Sequence, residues 1–343
     1  MNSRKKVQLG NRVIGEGEPV YIIFEGGLTN WGDVNLAKKQ VDAAMAAGAD
    51  CIKFQAQTTE ALVSKKVDPY WYRRLKYKEL SYDELRELRD YCAIRNIDFL
   101  VTAHTDFDLD FLDKELDIPF LKIGSGESMN FEFLKNVGAR KKPVVISLGL
   151  HLDDEEVRQT IQTLEDAGTT EIVILHCNTV YPTPPAINHL RQITHLQKMF
   201  SYPIGYSDHT VGLHIPIASV SLGVCVIEKH ISFDTHDKRS FDCPGSVTPE
   251  TAKDFVQHIR ELELALSDPG EKRKEKIKQA RQWAAQSIVA KHALTQGHKI
   301  SHVDLSFKRP GVGLSSDQAN MLIGKKLIRA IEADELIEEK DVA

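Results

Sequence analysis

From Tyr21 onward the chain alternates short apolar runs with longer amphipathic stretches. The runs are Val20–Glu25, Cys51–Phe54, Ile97–Thr102, Phe120–Ile123, Val144–Ser147, Ile172–His176, Pro203–Tyr206 and Val224–Lys229. They are apolar on both faces, the pattern of parallel strands covered on two sides. Between them, Val34, Ala37, Val41, Ala44, Met45 and Gly48 recur at helical spacing. Ser81 followed by Glu84 predicts a capping box opening a helix over 81–95, and Asp153 or Asp154 is placed to cap one that ends near Ala167. A last helix is expected over Thr248–Leu266. Eight strands, each followed by a helix over about 250 residues, is the arithmetic of an α/β protein built as a (β/α)8 TIM barrel. A doubly wound open sheet is the rival, but it uses fewer strands and a glycine-rich phosphate fingerprint. Neither GxGxxG nor GxxxxGK[ST] occurs.

Beyond Leu266 the pattern changes. Residues 1–267 read as the barrel, 268–285 as a charged linker or exposed helix (DPGEKRKEKIKQAR over 268–281), and 286–343 as a small separate unit. That unit carries a weak internal echo, residues 293–305 against 330–342, which predicts a pseudo-symmetric, β-rich module. So few residues barely support a core, so docking onto something larger is expected.

Composition narrows the classes. A net charge of −5 gives no nucleic-acid footprint, although a local cationic cluster for a small anion remains compatible with it. The longest nearly apolar stretch, Ile215–Ile227, is too short to cross a bilayer. No apolar segment follows the N-terminal MNSRKK, so no signal peptide is read there. Five cysteines without a CxxC pair argue against a disulfide framework or structural zinc, and a cytoplasmic setting is expected.

In a barrel the chemistry sits at the C-terminal strand ends. Those positions here are Glu25, Lys53 and Gln55, Thr102, Lys122 and Ser125, Ser147, His176, Ser207 and His209, Glu228 and His230. A lone polar residue there would be an ordinary loop residue. Lysines inside apolar strands, as in Cys-Ile-Lys-Phe and Phe-Leu-Lys-Ile, are costly to bury without anionic partners. Lys53, Lys122, Thr102, Ser125, Ser147 and Ser207 make a ring of cations and hydroxyls suited to a phosphate or phospho-carboxylate, and Gly124 and Gly126 would let backbone N–H groups approach it. His209 and His230, with Glu228, Asp242 and Glu25 nearby, are open to three readings: a divalent metal site, acid/base chemistry, or structure. His176 reads as a satisfied buried histidine or a site residue, and Cys177 as packing.

The runs Lys-Ile-Gly-Ser-Gly-Glu (122–127), Leu-His-Cys with Tyr-Pro-Thr-Pro (175–184), Gly-Tyr-Ser-Asp-His-Thr (205–210), Glu-Lys-His (228–230) and Arg-Pro-Gly (309–311) occur in this order. The chain thereby resembles the sialic acid synthase (NeuB) family over nearly its whole length. The small C-terminal unit resembles the antifreeze-like (SAF) domain that ends those synthases. The resemblance implies condensation of phosphoenolpyruvate with an N-acylated hexose, a divalent metal (commonly Mn2+, with Mg2+ or Co2+ open), and a domain-swapped homodimer. Lys53, Thr102, Lys122, Ser125, Ser147, Ser207 and Thr179 match phosphoenolpyruvate positions. His209 and His230 match metal ligands, and Gln55, Glu127 and Glu228 sugar contacts. Glu25, Tyr181 and Asp242 match residues near the reacting carbons, and Arg309 matches the arginine offered to the N-acyl group.

Departures from the family pattern also occur. Thr29 and Asn30 stand where Asn and His are usual, Leu148 and Leu150 where Thr and Met are usual, Thr179 where an Asn is usual, and Ser-Phe-Asp (240–242) where Gly-Pro-Asp is usual. Such changes around sugar and loop contacts point to an unusual acceptor. The resemblance implies that the lysines and hydroxyls hold phosphoenolpyruvate while a metal polarises the acceptor aldehyde, with Glu25 as proton acceptor or oxocarbenium stabiliser and Tyr181 and Asp242 orienting hydroxyls. The rivals are a related synthase using a phosphorylated aldose, a Schiff-base aldolase on Lys53 or Lys122, and a non-catalytic sugar-binding homologue.

Overall fold

The computed structural model describes residues 5–343. Residues 1–4, the start of the segment read for a signal peptide, lie outside the described residues. The chain divides into two compact units, one up to Leu266 and one from Ser267.

The first unit opens with an unpredicted hairpin of β1 (Val7–Leu9) and β2 (Arg12–Ile14). Its three-residue strands are too short to show alternation. Eight parallel strands follow: β3 (Tyr21–Glu25), β4 (Cys51–Ala56), β5 (Asp98–Ala103), β6 (Leu121–Ile123), β7 (Val144–Ser147), β8 (Ile172–Cys177), β9 (Ile204–Asp208) and β10 (Val226–His230). They close into a barrel in chain order, with β10 pairing β3. Each predicted run is a barrel strand. The predicted helices are present as Val34–Ala47, Tyr82–Arg95, Asp154–Asp166 and Pro249–Leu266. Ser81 and Glu84 form the reciprocal capping box, and the Asp153 carboxylate accepts from the N–H groups of Glu155 and Glu156.

Two apolar layers hold the barrel. Outward-facing Ile22, Phe24, Ile52, Phe54, Val101, Ile146 and Ile174 pack under the helices. Inward-facing Tyr21, Ile23, Leu100, Val145, Val173 and Leu175 fill the lower barrel together with Val7, Leu9 and Ile14 of the hairpin, which plugs it. With the interior sealed at the N-terminal end, open space is left at the C-terminal mouth.

In the second unit the charged segment is a helix, Glu271–Ala284, with no buried residue. The unit has one short antiparallel pair, β11 (Ser287–Ala290) with β12 (Leu305–Lys308), and is otherwise built from turns and isolated bridges. The pair and the bridges together make it the small β-rich region expected. The echo is real in three dimensions. Gly297 and Asp334 both take positive φ, Ile300 and Ile337 are both buried, and Leu294 bridges Ile331. Asp304 and Asp341 each close a capping box on a short 3-10 turn. These two carboxylates satisfy turn N–H groups that a core this small cannot leave unpaired.

Candidate active site

Strand alternation and register decide which side chains meet. Residues two apart on a strand share a face, so Lys53 and Gln55, Ser207 and His209, and Glu228 and His230 point inward in pairs. The parallel register sets Glu25 beside Lys53, Gln55 beside Thr102, Thr102 beside Lys122, Ser207 beside Glu228, and His230 beside Glu25. One cavity at the mouth is lined by all of these and by Ser125, Glu127, Ser147, Thr179, Tyr181 and Asp242. Every candidate from the sequence except His176 and Arg309 is thus gathered there. Arg309 follows β12 in the second unit and is exposed.

At the centre lies a buried charge cluster. Lys53 pairs with Glu25, donates to Thr102 Oγ1 at 3.0 Å and lies 3.7 Å from Glu228 Oε1. Lys122 donates to Ser147 Oγ at 2.8 Å and to the Ile123 carbonyl at 2.9 Å, but its nearest carboxylate, Glu228, is 3.9 Å away. Burial works against the charge of both lysines. At Lys53 the carboxylates of Glu228 and Glu25 outweigh it and hold the pKa above the usual lysine value. At Lys122 burial wins over Glu228, helped by repulsion from Lys53, and the pKa falls. Glu228 is opposed by burial too, yet Lys122, Lys53, His230 and His209 bring it down to about 2. It also accepts from Ser207 Oγ at 3.2 Å. Lys122 is therefore a buried cation with incomplete neutralisation, ringed by hydroxyls.

Buried polar atoms without hydrogen-bond partners concentrate on this cavity: Thr179 Oγ1, Glu127 Oε2, Glu228 Oε2, His104 Nε2 and His230 Nδ1. Such atoms are costly in an ordinary core, so their gathering marks a surface built for a polar ligand. His104 Nδ1 stands 2.9 Å from Glu127 Oε1 but off the angle of a hydrogen bond. Gly149 is the glycine the close approach requires, because a Cβ there would lie 2.4 Å from Thr179 Oγ1 and 2.8 Å from Ser125 Oγ. Of the two glycines expected to matter, Gly124 is crowded by Glu127 while Gly126 faces open space.

The two histidines fit a divalent cation. The rings of His209 and His230 lie 5.3 Å apart between centroids. His209 Nδ1 donates to the Asn178 carbonyl at 2.8 Å, which leaves Nε2 as the lone-pair nitrogen, and His230 Nδ1 has no partner. No third His, Cys, Asp or Glu joins them into a larger metal-holding group among the described residues. Outside the barrel wall, between the same two strands, Asp208 and Lys229 form a wholly buried ion pair. Lys229 also donates to the carbonyls of Thr210 and Gly245, and Asp208 accepts from Tyr206, Thr210 Oγ1 and Thr210 N. Each residue of this pair precedes one of the two histidines.

The NeuB family pattern matches residues 40–271, and the SAF domain pattern residues 285–343. The chain belongs to the NeuB family. An uncharacterized protein of Methanocaldococcus jannaschii is 37% identical over 340 residues, 97% of each chain. N,N'-diacetyllegionaminic acid synthase of Legionella pneumophila is 33% identical over 352 residues, again 97% of each. The solved structure of N-acetylneuraminic acid (sialic acid) synthetase from Leptospira borgpetersenii superposes with a TM-score of 0.74 at 29% identity, covering 80% of this chain and 96% of that one.

Within this NeuB-family barrel the sequence departures divide into two kinds. Thr29 and Asn30 are buried and bind their own loop, Thr29 Oγ1 donating to the Gly26 and Ile231 carbonyls and Asn30 Nδ2 to the Gly27 carbonyl. Neither they nor Leu148 and Leu150 line the cavity, whereas Thr179, Ser240, Phe241 and Asp242 do. His176 is satisfied by the Asn188 carbonyl and stacks on Tyr206. Cys177, read as packing, instead lines the cavity 3.8 Å from His209 Nδ1. Burial pushes its thiol pKa up, but His209 and neighbouring donors more than reverse this. The cavity also takes in Leu28, Trp71, Arg74, Lys78 and His104. His104 was findable, two residues past Thr102 on the same face. Trp71, Arg74 and Lys78 come from the segment between β4 and β5 and leave no strand-end signal.

Proposed function

We propose that this chain is a nonulosonic (sialic-type) acid synthase, condensing phosphoenolpyruvate with the aldehyde of an open-chain N-acyl hexosamine and releasing inorganic phosphate. The single observation that carries this is the under-neutralised Lys122 inside its hydroxyl ring, adjoining the His209–His230 pair and Glu25. Lys53, Lys122, Thr102, Ser125, Ser147, Thr179 and Ser207 hold the phosphate and carboxylate of phosphoenolpyruvate. A divalent ion between His209 and His230, Mn2+ in our reading, would supply Lewis-acid polarisation of the acceptor's carbonyl oxygen. Gln55, Glu127, Glu228 and Tyr181 position the acceptor for attack.

Carbon–carbon bond formation joins C3 of phosphoenolpyruvate to the aldehyde carbon, and the aldehyde oxygen takes a proton. Water adds at C2, losing its proton to Glu25. The C2–O bond to phosphate then breaks as the C2 hydroxyl passes its proton to the departing phosphate, giving the 2-keto acid and hydrogen phosphate. Glu25 lies beside Lys53 and accepts from Gln55 at 3.1 Å, so its carboxylate is held ready to stabilise positive charge at C2. Asp242 orients an acceptor hydroxyl. Arg309 is assigned to the N-acyl group within a homodimer, and the enzyme to the cytoplasm, where phosphoenolpyruvate is available.

The test is an acceptor panel with phosphoenolpyruvate and Mn2+, reading released phosphate and product mass. Bridging-18O phosphoenolpyruvate should deliver the label into phosphate. Borohydride with pyruvate should trap no lysine adduct. Absence of acceptor-dependent phosphate release across the panel would defeat the reading.

A further inference from the structure

The mechanism above starts from an open-chain acceptor and leaves one acid–base pair of the cavity unused. His104 directly follows β5, two residues past Thr102, and Glu127 stands two residues past Ser125. Both line the cavity. Their facing atoms, His104 Nδ1 and Glu127 Oε1, are 2.9 Å apart, off the angle of a hydrogen bond. Their other polar atoms, His104 Nε2 and Glu127 Oε2, are buried and have no partner either. Gly124 keeps space open beside them, since a Cβ there would lie 2.9 Å from Glu127 Oε2 and 3.9 Å from His104 Cε1.

The other imidazoles and carboxylates of the cavity are committed. His209 and His230 are the candidate metal ligands. Glu25 is paired with Lys53, Glu228 lies between both lysines and accepts from Ser207, and Asp242 accepts from Ser240 Oγ at 2.9 Å. Glu127 has no lysine or arginine within 4.0 Å among the described residues, and its ion-pair contact is His104. Asp108, the other carboxylate whose field reaches His104, is spent on the hydroxyls of Thr105 at 2.7 Å and Tyr82 at 2.9 Å. A carboxylate and an imidazole in contact, each with an unpaired atom at the same cavity, are a proton acceptor and a proton donor held at one place.

What such a pair can do follows from the chemistry of the acceptor. An N-acyl hexosamine in water is a closed hemiacetal ring, and its C1 offers no carbonyl until the C1–O5 bond breaks. Ring opening needs one proton removed from the anomeric hydroxyl and one delivered to the ring oxygen. Resting on the synthase reading, we propose that His104 and Glu127 open the acceptor's pyranose ring within the site, so that the protein binds the closed sugar and carries a second activity, interconversion of its anomers. Glu127 Oε2 takes the proton of the anomeric hydroxyl. The O1–H electron pair becomes the second bond of C1=O1, the C1–O5 bond breaks, and O5 keeps that pair and takes a proton from His104 Nε2. Glu127 gains one proton and His104 gives one, so the charge of the pair is unchanged. Transfer across the 2.9 Å contact, with tautomer exchange in solvent, resets it. Thr102 and Ser125, two residues before the pair, are phosphoenolpyruvate contacts in that reading, so the aldehyde is released where C3 must reach it.

The experiment follows the optical rotation of freshly dissolved single anomers of N-acetylmannosamine and the other N-acyl hexosamines of the acceptor panel. It uses the full chain with Mn2+, and 2-phospholactate, which lacks the nucleophilic carbon, in place of phosphoenolpyruvate. For the acceptor that is turned over, the expected interconversion rate per bound sugar is about a hundredfold or more above that in buffer. His104→Gln and Glu127→Gln should each cut this rate by about tenfold or more, with acceptor affinity by calorimetry changed far less. His258→Gln, at an exposed histidine of the helix Pro249–Leu266, should leave it unchanged. Interconversion at the buffer rate in a protein that turns the acceptor over would overturn the inference and leave the synthase reading standing, because the site would then capture the open form from solution. Variants that keep the wild-type rate would overturn it too. So would variants whose rate falls only in proportion to acceptor affinity, which marks a contact without proton transfer. Interconversion without phosphate release on any acceptor would sink the synthase reading alone, and absence of both would sink both.

Discussion

The Asp208–Lys229 pair offers a prediction whose size follows from its geometry. Both side chains are fully buried, and between them they satisfy the carbonyls of Thr210 and Gly245, the Tyr206 hydroxyl and the Thr210 N–H and hydroxyl. Lys229→Met keeps the length and removes the charge, leaving Asp208 as an uncompensated buried carboxylate and two carbonyls without their donor. Removing one partner of such a pair costs about 3–5 kcal/mol. For a barrel of this size that is a fall of roughly 10 °C in the midpoint of its transition. The double variant Asp208→Asn/Lys229→Met removes both charges while the Asn carbonyl still accepts from Tyr206 and Thr210. It should therefore lose less than the two single changes added together, with a coupling of about 2 kcal/mol. Urea melts of the four proteins, followed by barrel tryptophan fluorescence, measure this directly. Single losses below about 1 kcal/mol, or simple additivity, would refute the argument. Since the pair immediately precedes His209 and His230, the single variants should also weaken divalent-ion binding, measured by titration calorimetry.

Three further outcomes are expected. Glu228 sits at about 2 in the fold against an ordinary glutamate value near 4.5, so its contribution, roughly 3 kcal/mol, is complete above that value and lost as pH falls through 2. Glu228→Gln should therefore flatten the acid limb of the urea midpoint against pH, and an unchanged limb would contradict the assignment. Lys53→Ala and Lys122→Ala should each weaken phosphoenolpyruvate binding by about 2–4 kcal/mol by calorimetry, and unchanged affinity in either means that lysine does not hold it. Chelation, His209→Ala and His230→Ala should each abolish phosphate release, because a two-histidine site does not survive loss of one ligand. Full turnover in chelator would remove the metal from the mechanism.

The barrel was legible because buried parallel strands write themselves as short apolar runs, and the eight runs recur with caps and turns at the right intervals. The strand-end residues were legible for the same reason, since period two fixes which side chains face inward before any pairing is known. Lys53 and Lys122 stood out because a lysine inside such a run needs a partner. What the linear chain did not contain was register. Lys53 and Lys122 are the same residue type on the same kind of strand, yet one ends beside Glu25 and the other 3.9 Å from its nearest carboxylate, and their pKa values move in opposite directions. Cys177 passed for packing until the fold set it against His209. The altered loop residues Thr29 and Asn30 counted among the changes pointing to an unusual acceptor, but the fold commits their side chains to carbonyls of their own surroundings. Arg74 and Lys78 lie between strands, where no period announces a cavity, and only the carbonyl of Arg239, some 160 residues later, brings their charges together. Periodicity is a local property that the sequence carries by itself. Which charges share a low-dielectric space is a property of long-range contacts, and the tertiary structure alone decided it.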